Sequence, residues 1–226
     1  MDSFSKILLS THVIAGFISL ILFGIPVFVR KGGDIHRKVG KVYVYLMWYV
    51  VLSALLLSIE NFIQGHYISA VFLGFLTFIT GRPLWSAISI LKNKRQLSAS
   101  YLMINLCFNI IIGISAIILF LFGLKIWGQA ESVMMIFFSL LGFGGGWDAI
   151  QQIRNPKEKE DWYKEHLSGM IISAIAGYTA FFAFGGRQYF ASILTDYWQI
   201  LPWIAPTIIG ISIIKLMERR IDQKQG

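Results

Sequence analysis

The stretch Asp148-Ala-Ile-Gln-Gln-Ile-Arg154, followed by a charged turn and then Trp162-Tyr-Lys-Glu-His166-Leu-Ser-Gly-Met170, decides the fold. One apolar run closes at Arg154, charges collect over 154–165, and a second apolar run continues from Leu167 to Phe184. A charged turn between two runs of that length is the junction of two membrane helices. An acid, a basic cluster and a histidine gather at this junction.

Composition extends the same reading to the whole chain. The 226 residues are 56% hydrophobic and 14% charged, against about 25% charged in soluble domains. The mean hydropathy is +0.65. Too few polar groups exist to cover a water-facing surface, so the chain is expected to lie in a lipid bilayer. Apolar runs of about 20 residues specify helices rather than the alternating segments of a barrel. The fold class is therefore all-α: a polytopic transmembrane helix bundle of one domain, 1–226.

Seven spans are expected: about Ile7–Val29, Val42–Ile59, Tyr67–Leu91, Tyr101–Phe122, Val133–Ile153, Leu167–Phe184 and Tyr197–Leu216. The last is the weakest, because Pro202 and Pro206 interrupt it. A six-span count, with that segment re-entrant or interfacial, is the alternative. Short connections make consecutive spans antiparallel neighbours. The first run is too long for a signal-peptide core and ends in Arg30-Lys31, so no cleavable leader is expected.

Loop charge gives the orientation. Arg30, Lys31, Arg37, Lys38 and Lys41, then Lys92, Lys94 and Arg95, then Arg154, Lys157, Lys159 and Lys164, and finally Lys215, Arg219, Arg220 and Lys224 all fall on one side. The other side holds Lys6, Lys125 and Arg187. Under the positive-inside rule the amino terminus is outside and the carboxyl terminus cytoplasmic. The net charge of +8 is thereby assigned to cytoplasmic loops, and nucleic acid is not an expected partner. The bilayer is; a homo-oligomer or a membrane-complex partner is compatible. The lone Cys107 excludes an internal disulfide and reads as a small core hydrophobe. Gly142-Phe-Gly144-Gly-Gly146 reads as a close helix contact, with a hinge as alternative.

Ionisable residues inside spans carry the functional argument, since each costs at least ~2.5 kcal/mol there. Arg82, between Gly81 and Pro83, and Asp148 both fall in the inner half and are expected to pair across the bundle. Asn105 and Asn109 share a face of the fourth span and suit interhelical hydrogen bonds. His12 and His66 belong to the outer side, His36 and His166 to the inner. His12 lies ~26 Å from the end of its own span, so His12 and His36 cannot share an ion. Gly16, Gly40 and Gly169 follow His12, His36 and His166 by three or four residues, which leaves room beside each imidazole.

Several pieces resemble a family of bacterial polytopic membrane proteins of unknown function. They are His12-Val-Ile-Ala-Gly16, Asp34-Ile-His36-Arg-Lys-Val-Gly40-Lys-Val-Tyr43, Trp162 to Met170 with Thr179-Ala-Phe-Phe182, and Trp203-Ile-Ala-Pro206-Thr-Ile-Ile-Gly210. The resemblance implies a multi-pass protein of a bacterial inner membrane. It singles out His12, His36 and His166 and leaves His66 aside.

Four functional readings follow. In the first, His36 and His166 bind haem or a divalent metal in a redox protein, with Met170 as a soft alternative and His12 with His66 as an outer site. This is similar to di-haem membrane cytochromes, although no single helix here carries two well-spaced histidines. In the second, Arg82, Asp148 and His166 form the site of a small-solute or proton transporter. In the third, His36, His166 and Asp148 hold catalytic zinc. That is similar to the progestin-receptor and ceramidase-like group, whose paired histidines in the last span are absent here. In the fourth, the protein is an assembly factor without a site of its own.

Overall fold

The computed structural model describes residues 3–128, 130–156, 159, 161–182 and 201–225. Seven α-helices account for them: α1 (Ser3–Phe28), α2 (Asp34–Ile63), α3 (Tyr67–Ser89), α4 (Ala99–Lys125), α5 (Ala130–Arg154), α6 (Trp162–Ala180) and α7 (Leu201–Gln225), with a 3-10 turn over Ile90–Lys92 after α3. The chain is an all-α polytopic membrane bundle. Its side-chain pattern is that of a protein dissolved in lipid. Ile7, Val13, Ile14, Phe17 and Ile21 of α1 face outward. Ser5, Ser19, Ser53, Ser58, Ser86, Ser139 and Ser173 are buried between helices. Lipid gives apolar side chains no reason to turn inward, so small residues that let helices approach take the interior.

Each turn has a local cause. Gly32, Gly65 and Gly128 reverse the chain at positive φ of 73°, 80° and 94°. Lys31 Nζ donates to the carbonyls of Pro26 and Val27, both at 2.7 Å, and closes the open end of α1. Ser98 caps α4 by accepting from Tyr101 N, and Asp161 caps α6 by accepting from Tyr163 N and Lys164 N.

Six helices are long and apolar enough to cross a bilayer: α1, α2, α3 with its 3-10 turn, α4, α5 and α7. The helix below that standard is α6, not the proline-bearing last one. Pro202 sits in the first turn of α7, where a missing N–H is harmless, and the helix runs through Pro206 to Gln225. The stretch of α6 that is described has 19 residues and spends its first turn on Lys164 and Glu165. Even so, α6 occupies the same layer as its neighbours. It runs antiparallel to α3 and α7, and Lys164 at its start forms a salt bridge to Asp222 near the end of α7. The ends of the expected sixth span, 183–184, and the start of the expected seventh, 197–200, lie outside the described residues, as does Arg187.

Two other expectations change. Helix α2 begins eight residues before Val42, so His36 stands on its first turn. Cys107 is exposed on the outer face of α4 rather than buried in a core.

Helix α5 packs along α4, where glycine is essential. A methyl at Gly113 would come 2.9 Å from Gly146 Cα, and one at Gly142 would meet Phe75 and Ala116 at 2.5 and 2.7 Å. Three glycines of the 142–146 run are therefore packing positions, whereas Gly144 faces open space. Helices α1, α2, α3 and α6 pack around a second interface, lined by Tyr43, Met47 and Leu84 with Phe23, Trp48, Ile88 and Met170 around them. Among the described residues α5 makes no substantial interface with α6.

Candidate functional site

The end of the bundle where the basic segments collect also holds His36 and His166. His36 Nδ1 lies 3.3 Å from the carbonyl of Pro26, and His166 Nδ1 lies 2.7 Å from that of Ala87. Both acceptors belong to the last turn of a helix, α1 and α3 respectively, where carbonyls have no α-helical partner. A carbonyl can only accept, so each Nδ1 carries the proton. In the neutral form of each ring, Nε2 then keeps its lone pair.

An apolar cluster lies inward of this end. Tyr43, fully buried, stacks obliquely on Phe23 with ring centroids 5.3 Å apart. Its hydroxyl meets Ser173 Oγ at 2.8 Å. Because Ser173 already donates to the Met170 carbonyl, the phenol is the donor. Tyr43, Met47 and Leu84 thus make a buried apolar roof about two turns of α2 inward from His36. One turn below the roof, beside His36, Gly40 has nothing within 4 Å of where a Cβ would stand.

The other two glycines behave differently. A methyl at Gly169 would come 2.6 Å from the Pro83 carbonyl and 2.8 Å from Ala87 Cβ. This glycine seats α6 on α3 and leaves no space beside His166. Gly16 is in ordinary contact with Val50.

Arg82 and Asp148 come together: Arg82 Nη2 lies 3.9 Å from Asp148 Oδ2. Arg82 Nε also donates to Asn105 Oδ1 at 3.2 Å. Asn105 in turn donates to Gln152 Oε1 at 3.1 Å, and Gln152 Nε2 donates to the Leu102 carbonyl at 2.6 Å. Gln152 went unnoticed in the sequence, although it stands one turn from Asp148 on the same face of α5. Asn109, one turn deeper than Asn105, is buried, and neither of its side-chain atoms has a hydrogen-bond partner among the described residues.

These two groups do not merge. Ala87 faces α6 and Arg82 faces α4 and α5. Five residues on a helix put them about 140° apart around α3. Asp148 therefore belongs with Arg82 and not with His166. The sets His36–His166–Asp148 and Arg82–Asp148–His166 are each divided by α3. Among the described residues, no three His, Cys, Asp or Glu side chains converge as a metal would need.

On the opposite side, His12 Nδ1 lies 2.7 Å from Ser53 Oγ. His66 precedes α3, and its backbone N–H bonds to the Asn61 carbonyl. Asn61 is eight residues beyond Ser53 on α2, or about 12 Å along the axis, so His12 and His66 do not form an outer pair.

No protein-family model, curated protein or solved structure matches the chain. The family resemblance rests on its short motifs alone.

Proposed function

We propose that this chain is a haem-binding redox protein of a bacterial cytoplasmic membrane, amino terminus outside, in which His36 and His166 would hold the haem at the cytoplasmic face. One observation carries the reading: two imidazoles on different helices each spend Nδ1–H on a backbone carbonyl, which turns two Nε2 lone pairs to ligand duty. A bare divalent ion would need three or more protein ligands. Haem needs at most two, because its porphyrin supplies four nitrogens. Two imidazoles at one end of the bundle, with an apolar cluster inward of them and open space beside Gly40, suit haem better than zinc. Bound there, the iron would carry one electron at a time.

The test is a reduced-minus-oxidised spectrum of the protein purified in mild detergent after expression with haem precursor. A Soret difference band is expected, lost in His36→Ala and in His166→Ala and kept in His66→Ala. A colourless wild type, or a band that survives both inner substitutions, rejects the assignment.

A further inference from the structure

The Arg82 group lies across α3 from the histidines and takes no part in haem binding. Arginine brings five N–H donors. Here only Nε has a hydrogen-bond partner among the described residues, because the 3.9 Å approach to Asp148 is too long for a hydrogen bond. The Asp148 carboxylate likewise accepts no hydrogen bond among the described residues, and its side chain is 54% exposed. An opposite-charge pair with unspent donors and acceptors is therefore displayed on the flank of a membrane helix.

Depth and shape say what can reach it. Asp148 is six residues short of Arg154, about 9 Å below the basic rim. The headgroup zone on each side of the hydrocarbon core is about 5–8 Å thick. The pair thus sits at the boundary between headgroups and acyl chains. One turn deeper on the same face, Gly144 is exposed with nothing within 4 Å of a Cβ position, so a chain can lie against the helix there. Trp147 beside it is 59% exposed, as aromatic residues at this depth commonly are. Because α5 has no substantial interface with α6 among the described residues, the notch opens sideways.

We infer that Arg82, Asp148 and the Gly144 face form a binding site for a zwitterionic phospholipid bearing a primary ammonium group, such as phosphatidylethanolamine. The guanidinium fork takes the phosphate. The Asp148 carboxylate accepts from the ammonium, and one acyl chain runs over Gly144. An anionic headgroup would satisfy Arg82 but meet Asp148 with no cation. A choline headgroup has no N–H to donate.

Native mass spectrometry of the delipidated protein, offered an equimolar mixture of phosphatidylethanolamine, phosphatidylglycerol and phosphatidylcholine, tests this. Wild type should retain the ethanolamine lipid roughly tenfold over the others, about what one charge-assisted contact is worth. Asp148→Asn, nearly the same shape, should bring phosphatidylethanolamine level with phosphatidylglycerol, and Arg82→Gln should lower retention of all three. Equal retention by wild type, or an unchanged preference in Asp148→Asn, overturns the inference. Should Arg82→Gln not fold, the Asp148→Asn comparison decides alone. His36→Ala should leave the lipid preference intact, which separates this result from the haem assignment.

Discussion

Replacing Gly169 with alanine tests whether the α3–α6 contact positions the histidine site. The added methyl would lie 2.6 Å from the Pro83 carbonyl and 2.8 Å from Ala87 Cβ. Both neighbours are backbone or Cβ atoms and cannot rotate away, so α6 must retreat by about 1 Å to restore ordinary contact. Overpacking of this kind costs about 1–3 kcal/mol. His166 is three residues away on the same helix, and its 2.7 Å bond to Ala87 would stretch towards the hydrogen-bond limit. Losing that bond forfeits a further ~1 kcal/mol, while alanine in place of glycine returns ~1 kcal/mol of helix propensity. The net is a loss of about 1–3 kcal/mol, together with reduced haem retention. Unfolding titrations in mixed micelles measure the first, and the ratio of Soret to protein absorbance the second. Gly144→Ala is the control: with open space around it, only the propensity gain remains, and stability should hold or rise. A Gly169→Ala protein as stable as wild type and fully loaded with haem would refute the reasoning.

Gly40→Leu should leave the haem-free fold at least as stable, since the side chain enters open space, and should lower haem occupancy several-fold in the same absorbance ratio. Ser173→Ala should destabilise more than Tyr43→Phe in micelle unfolding titrations. The first leaves a buried phenol without its acceptor, at about 1–3 kcal/mol, and the second removes only a bond worth ~0.6 kcal/mol in membrane proteins. Asn109→Leu should be neutral or stabilising in the same titrations, because it removes a buried amide that has no partner among the described residues. In inside-out vesicles trypsin should cut in the 154–161 segment, and in right-side-out vesicles it should not; the reverse pattern would invert the assigned orientation.

The membrane fold was legible because it is written in run length and loop charge, which need no tertiary information. The Arg82–Asp148 pairing was legible for a related reason: two charges at equal depth in a bilayer have few other partners. What sequence could not place was the angle around α3. Depth follows from counting residues, but whether Arg82 and Ala87 look the same way depends on which helices pack on each side. That is why the transporter set Arg82–Asp148–His166 and the zinc set His36–His166–Asp148 are each split. Acceptors for the histidines were equally invisible, since any helix end offers free carbonyls and sequence does not say which end a ring will meet. Gly40 and Gly169 looked alike beside their histidines; only the neighbours distinguish a space from a contact. Helix α6 looked an ordinary span and α7 a doubtful one because proline was weighed without its position, and Pro202 falls in the one turn where it does no harm.

Helix α3 is a party wall. On one side its Ala87 carbonyl holds His166, and on the other its arginine reaches for Asp148 and whatever lies against it. A tenant on the Arg82 side that tilts the wall also tilts the ring on the far side. The lipid composition of the bilayer would thus bear on the orientation of His166, and on the midpoint potential of the haem proposed there, with no contact between lipid and ring.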